Sequence, residues 1–78
     1  MNAQRRKRLS KVIEQLEDLR SEVESIQEEE QEAFDNMPES LQYSERGEGM
    51  EEAISSMEDI TSSMDDIIDN INDVIENH

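Results

Sequence analysis

Few residues in this chain of 78 have chemistry to offer. There is no Cys, and the single His is the terminal His78. No nucleophile, base and acid can therefore be brought together, and no thiolate metal site is available. The expectation is a chain that is not an enzyme and carries no cofactor and no metal. Asp65, Asp69 and Asp73 stand four apart, one above another on a helix face, with Asp66 beside them. They suit either a cation site or a solvated acidic surface. No EF-hand loop surrounds them, and the Glu-x-x-His pairs of di-iron bundles are missing, so the acidic surface is the reading kept. Arg5, Arg6, Lys7 and Arg8 form a basic cluster. Direct nucleic-acid binding is not expected of it, because no aromatic lies near and the rest of the chain is strongly acidic. The third set, Phe34, Tyr43 and Arg46, lies between the two apolar-periodic halves. Arg46 could grip a phosphate or carboxylate in a fork and Tyr43 could stack on a base. The competing reading has Phe34, Leu41 and Tyr43 closing the end of a helical bundle, with Arg46 paired to a nearby Glu.

These residues are positioned by two long amphipathic stretches. In the second, Met50, Ala53, Met57, Ile60, Met64, Ile67, Ile71 and Val74 alternate spacings of three and four. That is a heptad seam with apolar a and d positions. Ile54, Ile68 and Ile75 add apolar e positions, and the g positions Ser56, Ser63, Asn70 and Asn77 are small or uncharged. Met50, Met57 and Met64 could form an adaptable partner surface, but Met at strict a positions is read first as core. In the first stretch, Leu9, Val12, Leu16, Leu19, Val23, Ile26, Ala33 and Met37 keep the same spacing, with Ile13 and Phe34 at e and Glu30 as the charged interruption. Glu28, Glu29, Glu30 and Glu32 repel one another within about a turn.

Pro38 biases the residue before it away from helical angles, so helix 1 is expected over about 4–36, a connector over 37–48 and helix 2 over about 45–77. Asn36 and Glu39 stand in a capping-box-like relation, and Ser44 is a plausible N-cap for helix 2. Gly47 and Gly49 are each expected to weaken that start by about 1 kcal/mol relative to Ala. Two nearly equal helices and a short connector predict an all-α, antiparallel two-helix hairpin, coiled-coil-like, forming a single domain over 1–78. Antiparallel packing sets the basic cluster beside Asp69, Asp73 and Glu76, where mutual neutralisation is expected. So short a chain buries a limited core. Assembly is the remaining source of stability, and two hairpins packed through their a/d/e faces would make a four-helix bundle dimer, with higher oligomers also open.

The net charge of −15 is unevenly spread: residues 1–13 carry +5 and residues 14–78 carry −20. Such a field attracts basic protein surfaces and repels nucleic acid. No apolar h-region opens the chain and no run is long enough to span a membrane, so a cytoplasmic, membrane-free setting is expected.

The connector AFDNMPESLQYSERGE, flanked by QRRKRLSKVIEQLEDL and MEEAISSMEDI, resembles a family of small helical proteins encoded by bacteriophages and mobile elements of Gram-positive bacteria. The likeness covers nearly the whole chain, and its specificity is concentrated in the connector. It implies no activity that transfers residue by residue. It does imply a setting, the cytoplasm of an infected bacterial host, in which small proteins without catalytic residues neutralise immunity. Three functions follow as expectations. The first is an anti-defence protein that inhibits a host immune protein through its acidic surface. The second is an oligomeric sponge for a nucleotide second messenger, held by Phe34, Tyr43, Arg46 and the cluster Arg5, Arg6 and Arg8 where protomers meet. The third is a structural coiled coil.

Overall fold

The computed structural model describes all residues, Met1–His78. Helix α1 runs Ala3–Asp35, the one-turn α2 Glu39–Gln42, and α3 Glu45–Asn77. There is no strand. α1 and α3 pack along their length as an antiparallel hairpin, a rod of 58 × 15 × 12 Å.

Local chemistry sets the ends. The Asn2 side chain accepts from the Arg5 N–H at 2.8 Å and caps α1. The Ser44 side chain accepts from the Gly47 N–H at 3.4 Å and caps α3, whose first turn carries Glu45 and Glu48 on the positive end of the helix dipole. The capping box expected of Asn36 and Glu39 does not form. Asn36 ends α1, and α2 is entered through Pro38 with no side-chain cap bond, because proline's fixed backbone already sets the entry angle. Gln42 secures the turn instead. Its Nε2 donates to the Phe34 carbonyl at 3.0 Å and the Met37 carbonyl at 3.3 Å, partnering groups that the end of α1 leaves without intrahelical bonds.

Gly47 does more than weaken a helix start. It is buried, and a Cβ built on it would lie 2.1 Å from the Gln42 backbone carbonyl oxygen. The connector can fold onto α3 only because that side chain is missing. A Cβ on Gly49 meets nothing within 4 Å. Gly49→Ala should therefore stabilise the hairpin by about 1 kcal/mol, whereas Gly47→Ala should destabilise it by about 3 kcal/mol through overpacking against backbone. Thermal melts of the two variants check this. Equal shifts would contradict the close approach.

The seam between the helices uses two of the three apolar columns. On α3 the buried residues are Gly47, Ile54, Thr61 and Ile68, the e column, flanked by half-buried Met50, Met57, Met64 and Ile71 of the a column. On α1 the inward residues are the matching a column, Leu9, Leu16, Val23 and Glu30, and the e column, Arg6, Ile13, Arg20, Gln27 and Phe34, all half-buried. The broad a/d/e face expected to meet another hairpin is thus divided: a and e are spent within the hairpin. Thr61 is accommodated among apolar neighbours because its hydroxyl donates to the Glu58 carbonyl at 2.9 Å. The core is thin, with 4 of 78 residues buried and only Ile54 and Ile68 of them large and apolar.

Candidate functional site

One bidentate contact fixes the rotation of the two helices. Arg20 Nε and Nη2 donate to the two Asp65 carboxylate oxygens at 2.6 and 3.1 Å, while Nη1 donates to Glu24 at 2.7 Å. The Asp65 hydrogen bond, followed by its charge, holds the Arg20 pKa above its ordinary value, so the guanidinium stays charged. Arg20 is an e residue and Asp65 a b residue, so these columns share one side of the hairpin. With about 100° per residue, the two d columns then share the opposite side.

That opposite side is apolar. Val12, Leu19 and Ile26 project from α1 with exposures of 40, 58 and 47 %, and Ile60 and Ile67 from α3 with 47 and 46 %. Arg20 and Asp65 also set the levels, since residues whose numbers add to about 85 stand abreast. Leu19 is therefore level with Ile67, Ile26 with Ile60, and Val12 with Val74. The face across from it carries Ser10, Glu17, Glu24 and Gln31 of α1 and Glu51, Glu58, Asp65 and Asn72 of α3, all exposed. The hairpin has one apolar and one acidic face. The spacing placed these d residues on the a/d/e face expected to meet a second hairpin, but did not separate them from the a and e columns that the hairpin's own seam takes up.

The basic cluster splits by column. Arg6 lies at the end of the seam, and Arg5 and Arg8 border the apolar face. There, Met1, Arg5, Arg8, Leu9 and Val12 line a shallow groove of about 360 Å³, with guanidiniums above an apolar floor. Further along the same helix Ile26, Glu29 and Glu30 line a smaller cleft of about 240 Å³. The neutralisation expected between the cluster and Asp69, Asp73 and Glu76 is not made. The two groups share one end of the rod, yet the ion pairs within 4 Å are those of Arg20 alone. The N-terminal ammonium donates to the His78 carbonyl, and Asp73 accepts from Asn77 at 2.6 Å.

The connector lies at the far end. Phe34 is half-buried, but Tyr43 is 77 % and Leu41 49 % exposed. Of the three side chains expected to close the bundle end, only Phe34 turns inward; Leu41 of α2 and Tyr43 just after it lie on the outer surface, and Gln42 takes the inner position. Arg46 is exposed and makes no ion pair. Phe34, Tyr43 and Arg46 stand most of the 58 Å rod away from Arg5, Arg6 and Arg8, so one chain cannot bring both sets to one ligand. Asp65, Asp66, Asp69 and Asp73 are all exposed on the outer side of α3. No three His, Cys, Asp or Glu side chains converge as a metal site, and no helix is long and apolar enough to cross a membrane. No known protein family, characterised protein or solved structure matches the chain.

Proposed function

We propose that this chain is a non-enzymatic interaction protein of phage type, assembled as a four-helix bundle of two hairpins, that inhibits a host bacterial immune factor by laying its acidic surface on a basic one. The observation that carries this reading is the state of the carboxylates. Of 22 acidic residues, only Glu24 and Asp65 are ion-paired within the chain, and from Met50 onward α3 has no Lys or Arg. A charge of −20 over residues 14–78 is left facing outward. Exposed carboxylates in such number repel one another and work against the rod itself, and a basic partner relieves that repulsion. The resemblance to phage and mobile-element proteins supplies the setting.

The test is expression in bacteria that carry single, defined immune systems, scored by phage plating. One system should be silenced. Asp66→Asn, Asp69→Asn and Asp73→Asn together should lose the effect while circular dichroism still reports the hairpin. Binding to the silenced factor should weaken steeply between 50 mM and 500 mM salt, the range over which roughly a Debye length of 14 Å shrinks to 4 Å. Full activity of the triple variant would refute the acidic surface as the site.

A second reading, sequestration of a nucleotide second messenger, is favoured by the groove at Met1, Arg5, Arg8, Leu9 and Val12. Its guanidiniums match phosphates and its floor matches a base. A retained species of nucleotide mass in native mass spectra of protein purified from infected cells would establish it over the first. A structural coiled coil that only pairs with another heptad protein would show neither effect.

A further inference from the structure

We infer that the apolar d face is covered by a second copy of this chain lying head to tail, with α1 against the partner's α1, α3 against the partner's α3, and the connectors at opposite ends. The inference rests on the four-helix-bundle reading above and specifies its face and polarity.

Size supports the occupant. The side of the rod that carries these residues measures 58 Å by 15 Å, about 870 Å² in all, so a second rod laid along it has room for the roughly 800 Å² that each partner in a stable protein interface contributes. Its centre is five exposed aliphatic side chains, and its borders are polar, the anatomy of an interface with an apolar core.

Charge decides the polarity. Along the outer edge of the face α1 carries Arg8, Gln15, Glu22 and Glu29, running from basic to acidic, while α3 carries Ser56, Ser63, Asn70 and Asn77. A two-fold axis along the rod would keep both connectors at one end and set α1 beside the partner's α3. Glu22 and Glu29 would then face serines, with no cation. A two-fold axis across the rod sets α1 antiparallel to its own copy. With Leu19 on that axis, Arg8 meets the partner's Glu29, Gln15 meets the partner's Glu22, and Arg5 lies over the partner's Ala33, the smallest residue of the column. Moving the axis by half a heptad, which slides the copies past each other by a whole one, would place Glu22 on the partner's Glu22, which like-charge repulsion disfavours. In the favoured setting the basic groove around Leu9 and Val12 is level with the partner's acidic cleft at Ile26 and Glu29. The partner thus fills the groove that a nucleotide would need. On α3 the small edge residues let two helices approach closely.

The chain lacks Cys, so single cysteines report directly. Leu19→Cys should form a disulfide-linked dimer on mild oxidation, and a mixture of Leu19→Cys and Ile67→Cys should give no mixed disulfide. Arg8→Glu or Glu29→Arg should each weaken the dimer about tenfold, and the two together should restore it, since two symmetric pairs are reversed and then remade. A monomer by sedimentation at every concentration would overturn this inference and the bundle with it. A mixed Leu19–Ile67 disulfide, or a dimer whose Leu19 cysteine stays unlinked, would overturn the head-to-tail arrangement and leave the bundle standing.

Discussion

Ile54→Ala should destabilise the chain by about 3 kcal/mol, the usual cost of truncating a buried aliphatic side chain that its surroundings cannot refill. Ile54 is 7 % exposed, and Ile68, at 9 %, is the one other large apolar residue that is buried. It sits one heptad above Gly47, where α3 is held against the connector, so collapse around the lost atoms is restricted. Small domains sit near 5 kcal/mol, the low end of the stability range, so this loss should leave about 2 kcal/mol and a melting point far below that of the parent chain. Helicity at 222 nm against temperature and concentration is the readout. A melting point within about 3 °C of the parent chain would show that the seam is not where the stability lies.

Leu19→Glu combined with Ile67→Glu should abolish self-association. The two residues are level on the apolar face, 58 and 46 % exposed in the single hairpin, so a lone hairpin can solvate the new carboxylates. Against a second copy they would be buried without partners, and a symmetric dimer would bury four. An uncompensated buried charge of this kind costs several kcal/mol, and a loss of more than about a thousandfold in dimer affinity follows. With the dimer gone, helicity should be lower than in the parent chain and independent of concentration, because folding is then no longer coupled to assembly by mass action. An unchanged sedimenting mass would mean that this face is not the contact.

The columns themselves were legible in the sequence. Spacings of three and four from Leu9 to Ile26 and from Met50 to Val74 predict two amphipathic helices, and Pro38 and Ser44 mark the turn between them. Which column faces which neighbour was not legible, because periodicity fixes the positions on a helix but not the helix's rotation about its axis. Here rotation follows from two contacts made through space, the approach of Gln42 to Gly47 and the clasp of Arg20 on Asp65. Both left a trace. Gly47, Ile54, Thr61 and Ile68 fall every seven residues, and Arg20 is the lone cation in the middle of α1, on the column of Ile13 and Phe34. Read together, those traces place the e columns in the hairpin's own seam and free the d columns for a partner. The basic cluster was misread for a different reason. Sharing one end of a rod with Asp69 and Asp73 does not bring side chains on different columns into contact.

The acidic surface and the apolar face answer different needs. The apolar face adds the burial that the thin seam lacks, and covering it leaves the exposed surface of α3 beyond Met50 to carboxylates, small polar residues and amides. A bundle built this way is charged all round its middle, with the basic N-termini and the connectors alternating at each end. Tyr43 and Arg46 of one copy then lie just beyond the other copy's Met1, so any contact shared by these residues belongs to the assembly and to neither chain alone.

The measurement that bears most directly on this account is the native mass of the unmodified chain over a dilution series. The predicted result is twice the 9.1 kDa chain mass, about 18 kDa, with helix content lost as the dimer dissociates. A mass of 9.1 kDa with full helicity down to the lowest concentration would contradict it, and would mean that the apolar face stays open on a hairpin stable by itself.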